Sequence, residues 1–251
     1  MKTKELEQYL NQLLNIHQFK DYAPNGLQIE GNTETRVIVS GVTASQLLIE
    51  EAIDLKADTI LVHHGYFWPS EDPRLIGMKG KRIRSLIKND INLMGYHLPL
   101  DAHPELGNNA ILGKELGLKN IKPIQADDPL CLIFSGELIN PISSQEFSKH
   151  LATVLGQTPI VSHDSTRIQN IAWCTGGAQS YLNKVIGMGF DAFISGEISE
   201  HTVHTARENH IVYFGAGHHA TERYGIQALG AHLANQFEDL TIHFVDIPNP
   251  A

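Results

Sequence analysis

The strongest constraint on the fold is a regular alternation of apolar, strand-like segments with helix-like segments. In the first half of the chain, a predicted turn at 21–31 precedes strands predicted at 36–43, 59–64 and 91–96, which alternate with helices predicted at 45–56 and 79–88. Two parallel strands need a long connection that returns along one face of the sheet, and a helix is the usual one. The alternation therefore predicts an α/β fold with parallel strands.

The same pattern restarts in the second half of the chain, with a predicted strand from Leu130 and predicted helices at 144–155 and 179–188. Segment 37–64 aligns without a gap with segment 170–197 when Asp58 is placed over Asp191. This match alone is weak, because α/β chains share such patterns. A His-x-x-x-acid segment after the third strand of each half strengthens it, and we predict an internal duplication. The predicted fold class is α/β with two similar three-layer halves, residues 1–125 and 126–251, and exchange of elements between the halves is allowed.

Composition indicates a soluble, folded chain. Of the 251 residues, 42% are hydrophobic and 19% are charged, and the formal net charge is −9. This acidic balance provides no positive field for nucleic-acid phosphates, so strong nucleic-acid binding is not expected. The N-terminus has no signal-peptide pattern, and no apolar run approaches the length of a membrane span. With only Cys131 and Cys174, a disulfide framework is excluded, and we expect a cytoplasmic protein.

Histidine is abundant, at 14 residues, and one pair stands at a strand end. His63 and His64 close the predicted strand 59–64. Open α/β sheets bind ligands at the carboxyl ends of their strands. Neighbouring side chains leave a strand on opposite faces, so the two imidazoles are able to serve two different ions. The alternative is a surface pair with no partner.

Two further segments add carboxylates to this set. His97 is followed four residues later by Asp101, and His218 is followed four residues later by Glu222. The imidazoles of His63, His64 and His218 and the two carboxylates together suit Zn, Mn, Fe, Ni or Co, whereas an all-oxygen set suits Ca or Mg. Five ligands exceed one tetrahedral shell, and a carboxylate can bridge two ions. We predict two divalent metal ions per subunit, bound by His63, His64, Asp101, His218 and Glu222.

Seven motifs along the chain carry a family resemblance. They are NGLQIEG (25–31), SGVTAS (40–45), LVHHGYFW (61–68), GYHLPLD (95–101), ISGEISEHT (194–202), AGHHATERYG (216–225) and DIPNP (246–250). In this order they span essentially the whole chain. The sequence resembles the Nif-three-like (NGG-interacting factor) family, whose bacterial members are often labelled type 2 GTP cyclohydrolase I homologues.

The resemblance implies a two-metal centre in a cleft between two interlinked α/β halves, and subunits assembled into a toroidal hexamer. Carried over residue by residue, it implies the same five metal ligands, with Glu222 as the bridging carboxylate.

Several neighbouring residues have two interpretations each. His97 is a candidate general acid or base, or else a hydrogen-bond partner of a ligand. His219 and Glu197 are candidates to line the same site. His201 and His204 are further candidates, but a solvated helix face explains these two equally well.

Two short segments also carry alternatives. The run Tyr66-Phe67-Trp68 is suited to stacking a nucleobase, although core packing is the commoner fate of such a run. The turn Thr175-Gly176-Gly177 is suited to binding phosphate through backbone N–H groups, but it lacks the full spacing of a known phosphate-binding motif.

The functional hypothesis is a dinuclear metal-dependent hydrolase, similar to type 2 GTP cyclohydrolase I. It would act on a nucleotide or related heterocycle through a metal-bound hydroxide, with His97 moving a proton. The alternative, from a different class, is a non-catalytic metal-binding ring protein that acts through protein partners. The eukaryotic relatives, which are named for a protein interaction, keep this alternative open.

Overall fold

The computed structural model describes residues 1–251. The strands are β1 (Gly26–Ile29), β2 (Val37–Thr43), β3 (Thr59–His64), β4 (Asn92–Gly95), β5 (Lys119–Pro123), β6 (Phe134–Ile142), β7 (Ile160–Val161), β8 (Ile168–Trp173), β9 (Ala192–Ser195), β10 (Val212–Gly215) and β11 (Thr241–Phe244). The helices are α1 (Thr3–Leu13), α2 (Gln46–Asp54), α3 (Gly77–Lys88), α4 (Leu98–Ala102), α5 (Asn108–Glu115), α6 (Ser144–Leu155), α7 (Leu182–Val185), α8 (Glu200–Glu208) and α9 (His218–Gln236). This content confirms the predicted α/β class.

The chain forms two compact units. Unit 1 contains residues 1–100 and 226–248, and unit 2 contains residues 101–225 and 249–251. These units are defined by packing. The predicted halves, 1–125 and 126–251, concern the sequence repeat and stay a prediction.

Unit 1 contains a five-stranded sheet in the order β1-β4-β3-β2-β11. The strands β4, β3, β2 and β11 run parallel, and β1 is antiparallel at the β4 edge. Val39 and Ile60 pack in one apolar core, with Leu48 of α2 and Leu86 of α3. The alternating residue Leu61 is also only 1% exposed, so this sheet is covered on both faces.

Unit 2 contains a six-stranded sheet in the order β5-β6-β8-β9-β10-β7, in which β8, β9 and β10 are parallel. Ile171 and Trp173 pack in one core together with Phe147 of α6. Ala172, which lies between them on β8, packs in a second core with Leu182 of α7. Helices therefore cover both faces of this sheet, as the three-layer prediction requires.

The hydrogen bonds of two aspartates support the internal duplication. One carboxylate oxygen of Asp58 accepts from the backbone N–H groups of residues 36–37, at 2.8 and 2.9 Å. One carboxylate oxygen of Asp191 accepts from residues 169–170, at 2.9 and 2.8 Å. In both units, the aspartate lies 22 and 21 positions after its two donors. The two aspartates are therefore equivalent, as the alignment of Asp58 with Asp191 predicts.

The sheet register corrects one part of this repeat. In unit 1, Val62 pairs with Gly95, and at the equivalent place in unit 2, Ser195 pairs with Gly215. Counting on from these pairs, His97 corresponds to Gly217, one residue before His218. The two His-x-x-x-acid segments therefore differ by one residue in their positions within the repeat. They are separate features at neighbouring positions of the repeat.

Local sequence explains where elements end. Helix α6 has the predicted bounds because Ser143 and Glu146 form a capping box at its start and Gly156 adopts a left-handed conformation (φ 78°) at its end. The helix predicted at 179–188 is much shorter. It consists of a 3₁₀ turn at Gln179–Tyr181 and α7, and Gly187, shortly after α7, has a φ of 81°.

Two predicted segments differ from the structure near chain turns. A turn was predicted at 21–31, but β1 forms within it. A strand was predicted from Leu130, but β6 begins only at Phe134. None of the helices combines the length and apolar character needed to cross a bilayer.

Candidate metal centre

His63 and His64 end strand β3 in unit 1, as predicted. His63 is 1% exposed, and its Nδ1 lies 2.9 Å from the backbone oxygen of Tyr96. Because a carbonyl only accepts, Nδ1 of His63 is the donor in this contact. Nδ1 of His64 lies 3.2 Å from the hydroxyl of Thr43. Each ring is thus oriented through Nδ1, which leaves Nε2 as the nitrogen suited to bind a metal.

His97, between β4 and α4, lies beside this pair. Its ring centroid is 5.2 Å from that of His63 and 5.8 Å from that of His64. One nitrogen from each of the three rings can be chosen so that all three lie within 4.8 Å of one another. The structure therefore brings the predicted catalytic residue to His63 and His64, two of the predicted ligands. It also makes His97 a possible third ligand.

An aspartate missed by the sequence analysis orients His97. Oδ1 of Asp21 lies 2.7 Å from Nδ1 of His97, and Oδ2 accepts from the backbone N–H of Leu98 at 2.9 Å. Asn25 completes the contact, since its Oδ1 accepts from the backbone N–H of His97 at 2.8 Å. The sequence of this segment predicts only a turn. The only sign of this role in the sequence is that Asp21 and Asn25 flank Pro24, because aspartate and asparagine side chains often form hydrogen bonds with backbone groups.

Burial raises the pKa of Asp21, but the hydrogen bond and the charge of His97 outweigh burial and lower it overall. The Asp21 side chain is only 3% exposed. A buried, ionised carboxylate therefore stands behind the His97 ring, at its Nδ1 edge.

In unit 2, Asp101 is held by amide and hydroxyl groups. Its Oδ1 accepts from Nδ2 of Asn108 at 2.8 Å and from the hydroxyl of Thr175 at 3.4 Å. Nδ2 of Asn109 donates to the Asp101 backbone oxygen at 3.1 Å. Asp101 is 6% exposed. These donors fix the position of the carboxylate.

His218 and Glu222 lie one turn apart at the start of α9, on one face of the helix as their spacing requires. Nε2 of His218 is 3.0 Å from Oε2 of Glu222, and its Nδ1 is 2.8 Å from Oε1 of Glu197. Burial lowers the pKa of His218, but hydrogen bonds and charge from Glu222 and Glu197 prevail and raise it to about 9. Glu197, a predicted lining residue, thus orients His218 through Nδ1.

The turn Thr175-Gly176-Gly177 makes room for Glu222. Gly176 has a φ of 67°, and a Cβ there would overlap the Glu222 carboxylate. Its N–H donates to the hydroxyl of Thr221 at 3.1 Å, and the N–H of Thr175 donates to Oδ1 of Asn109 at 3.0 Å. Because two of the three N–H groups of the turn already have protein acceptors, this geometry does not favour the phosphate-binding alternative.

Some of the other residues suggested by the sequence lie near the candidate metal ligands, and others lie elsewhere in the fold. His201 and His204 lie exposed on α8, as expected of a solvated helix face. The backbone N–H of His219 donates to the backbone oxygen of Ala251 at 3.0 Å. Tyr66 is a core residue, 3% exposed, whereas Trp68 lies against His97. Both units thus carry His, Asp or Glu side chains in groups that could bind a metal ion.

Comparison with known proteins identifies the family of the chain. The family model described as Duf34/NIF3 (NGG1p interacting factor 3) matches residues 1–250. A Pasteurella multocida protein named "GTP cyclohydrolase 1 type 2 homolog" is 53% identical over 253 residues, which cover 100% of both chains. A solved structure described as "protein ybgI, unknown function" has a TM-score of 0.94 at 49% identity, and TTHA1606 from Thermus thermophilus has 0.87 at 33%; each match covers 100% of both chains. The chain therefore belongs to the Duf34/NIF3 family, as its motifs predict.

Proposed function

We propose that the chain is a metal-dependent hydrolase that acts on a nucleotide or a related heterocycle. Two divalent ions per subunit, of the Zn, Mn, Fe, Ni or Co type, are bound by His63, His64, Asp101, His218 and Glu222. The name of the relatives, GTP cyclohydrolase 1 type 2 homolog, supports a nucleotide-like substrate.

The observation that carries the proposal is a shared orientation of the three ligand imidazoles. Each has its Nδ1 next to an oxygen, from Tyr96 for His63, from Thr43 for His64 and from Glu197 for His218. Metal-binding histidines almost always have their second ring nitrogen bonded in this way, because the bond fixes the tautomer and the ring orientation. An unrelated set of surface histidines has no reason to share it.

The donor set also fits a metal of this kind. Asp101 and Glu222 are 6% and 3% exposed. A buried carboxylate is costly unless a cation or hydrogen-bond donors compensate its charge. The side chain of Glu222 touches His218, another proposed ligand, so both would turn to a shared cation. Imidazole and carboxylate together suit Zn, Mn, Fe, Ni or Co.

When bound, the ions would lower the pKa of a coordinated water from roughly 15.7 to about 7, which supplies a nucleophile at neutral pH. The protein's part is to hold the substrate and to move a proton. His97 is placed for proton transfer through Nε2, because Asp21 occupies its Nδ1. Asp21 also stabilises the protonated ring that forms when His97 accepts a proton.

Metal analysis of protein purified without a chelator tests the ligand set. We expect about two divalent ions per chain in the wild type and a clear loss in Asp101→Ala and Glu222→Ala. His201→Ala removes an exposed imidazole outside the set and should retain the wild-type content. Metal content near zero in the wild type, or unchanged in both carboxylate variants, contradicts the proposal.

Turnover is tested separately, with the metal-loaded wild type and a panel that includes GTP and other nucleotides. Release of a hydrolysed product that depends on Glu222 supports the enzyme. A fully loaded protein that is inert toward the whole panel favours the non-catalytic ring protein instead.

The proposed assembly is a homohexameric ring, which rests on the family resemblance. Light scattering that finds only the 27.8 kDa monomer would remove this part.

A further inference from the structure

Two aromatic side chains, Trp68 and Tyr22, lie beside His97 in unit 1. The Trp68 ring stands edge-on to the His97 ring, with centroids 4.9 Å apart and an interplanar angle of 85°. Its centroid is also 6.0 Å from that of His64. The Tyr22 ring is tilted by 57° to His97, at 6.3 Å. Aromatic surface is therefore concentrated around the residue proposed to transfer a proton.

Trp68 is held in this position by its own loop. The indole N–H donates to the backbone oxygen of Gly65 at 3.1 Å, and the backbone oxygen of Trp68 accepts from Glu71 at 3.0 Å. Phe67 adopts a φ of 69°, and its N–H donates to the Glu71 carboxylate at 2.9 Å. A left-handed phenylalanine costs free energy and persists only where its surroundings enforce it. The consequence of this turn is that Tyr66 enters the core while Trp68 reaches His97.

Tyr22 is anchored to the same carboxylate as His97. Its backbone N–H donates to Oδ1 of Asp21 at 2.6 Å, the oxygen that also contacts Nδ1 of His97. The Tyr22 side chain is nevertheless 65% exposed. Core packing therefore does not explain why an aromatic side chain stands at this position. The backbone of Tyr22 is nevertheless fixed relative to His97.

We propose that Trp68 and Tyr22 form a stacking subsite for a flat nitrogen heterocycle, such as a purine base, next to His97. The inference rests on the proposed function and adds to it the part of the substrate that these residues recognise. Aromatic side chains bind bases through their π faces and tolerate differences between them. A ligand stacked there would place its ring within reach of Nε2 of His97.

Before any metal is bound, the charges of the chain favour a ring over a phosphate at this position. The ionised Asp21 stands directly behind His97, and the chain as a whole carries a formal charge of −9. Neither feature attracts an anion. Indole and phenol rings, in contrast, offer apolar surface and dispersion contacts to a neutral base.

Tryptophan fluorescence provides a direct probe. The chain has two tryptophans, Trp68 and Trp173, and Trp173 is fully buried. Quenching by an added ligand therefore reports on Trp68. We expect guanosine and adenosine, which have a base and no phosphate, to quench the emission saturably. Inorganic triphosphate, which has no ring, should leave it unchanged.

Calorimetry with guanosine compares the variants. Stacking on one aromatic side chain contributes enough that Trp68→Ala should weaken guanosine binding roughly 5- to 150-fold. Tyr22→Ser should weaken it in the same direction, and Tyr22→Phe, which keeps the ring, should bind like the wild type. Phe67→Ala is the matched control, because Phe67 is in the same loop but lies under the ammonium group of Lys79.

Three results would overturn the subsite. The first is that neither nucleoside binds saturably. The second is that Trp68→Ala and Phe67→Ala bind guanosine with equal affinity. The third is that the Trp68→Ala and Tyr22→Ser variants change their oligomeric state in light scattering and do not change their affinity for guanosine. The last would make these rings an interface between copies of the chain. Metal content separates this test from the proposed function, since Trp68→Ala should keep its metal and Asp101→Ala should lose it.

Discussion

Replacement of Asp21 is the sharpest test of how the site is held. Oδ1 accepts from Tyr22 and contacts His97, and Oδ2 accepts from Leu98 and Asn25. An asparagine has one accepting oxygen, so Asp21→Asn must turn an amide N–H₂ towards the donors at one of these two positions. Hydrogen bonds to a charged group contribute roughly 1.5–3 kcal/mol each. We therefore expect Asp21→Asn to lower the free energy of unfolding by about 2 kcal/mol, and Asp21→Ala, which removes a buried partner completely, by about 3–5 kcal/mol.

Denaturant unfolding of the chelator-treated protein, followed by circular dichroism, measures this loss. Asp72→Asn is the matched control, because Asp72 is exposed and pairs only with its neighbour Arg74 in the described ion pairs. Its midpoint should remain close to that of the wild type. Equal stability of Asp21→Asn and the wild type at neutral pH would refute the reasoning.

The pH dependence of this stability difference provides a second test. The pKa of folded Asp21 lies below its ordinary value of 3.8, so its ionised form stabilises the fold. That contribution is fully present above the ordinary value and is lost as the pH falls through the lowered pKa. The difference between the wild type and Asp21→Asn should therefore shrink in acid. A difference that stays constant below pH 3.8 would mean that the charge of Asp21 is not its cause.

Two other substitutions separate binding from chemistry. His97→Ala should retain the metal content while lowering kcat by roughly 10²- to 10⁴-fold if His97 transfers a proton; loss of metal on the same preparation would instead make it a ligand. Gly176→Ala should reduce metal content, because its Cβ would overlap the Glu222 carboxylate, whereas Gly187→Ala has the same left-handed strain and open space around it, and should retain the metal. Equal metal content in the two glycine variants would exclude the steric argument.

The fold could be predicted from sequence wherever local signals agree. Helix α6 has a capping box at Ser143 and a left-handed Gly156, so its bounds follow from residues next to one another. Strand β1 could not be predicted in this way. Its four residues are Gly26–Ile29, and they extend because they pair antiparallel with β4, far away in sequence. Pairing at a sheet edge overrides the turn tendency of Pro24 and Asn25.

The site shows the same division. His63 and His64 are adjacent, and His218 and Glu222 are one helical turn apart, so both pairs are visible in the sequence. Asp21 is separated from His97 by 76 positions, and no spacing rule joins them. The one-residue shift of the repeat has the same origin, since only the register of β4 and β10 shows that His97 corresponds to Gly217. Asp21, which orients the predicted catalytic residue, is thus found only from the tertiary structure.

Glu197 allows a last prediction about such an orienting residue. In the register of the repeat it takes the position that His64 has in unit 1. Its Oε1 lies 2.8 Å from Nδ1 of His218, and its side chain is 47% exposed, so its role is to set the ring and not to fill a buried coordination position. Loss of such a partner typically costs about 10- to 100-fold in metal affinity.

Glu197→Gln should therefore bind metal about 10- to 100-fold more weakly than the wild type, measured by competition with a chromophoric chelator. The effect should be smaller than that of Glu222→Gln, because Glu222 contacts Nε2, the proposed metal-binding nitrogen of His218. Glu208→Gln, which changes an exposed carboxylate on α8, is the control for charge alone. If Glu197→Gln and Glu208→Gln lower the affinity equally, the general field of the acidic chain is responsible. If Glu197→Gln equals Glu222→Gln, then Glu197 is itself a ligand, and the proposed set of five is wrong.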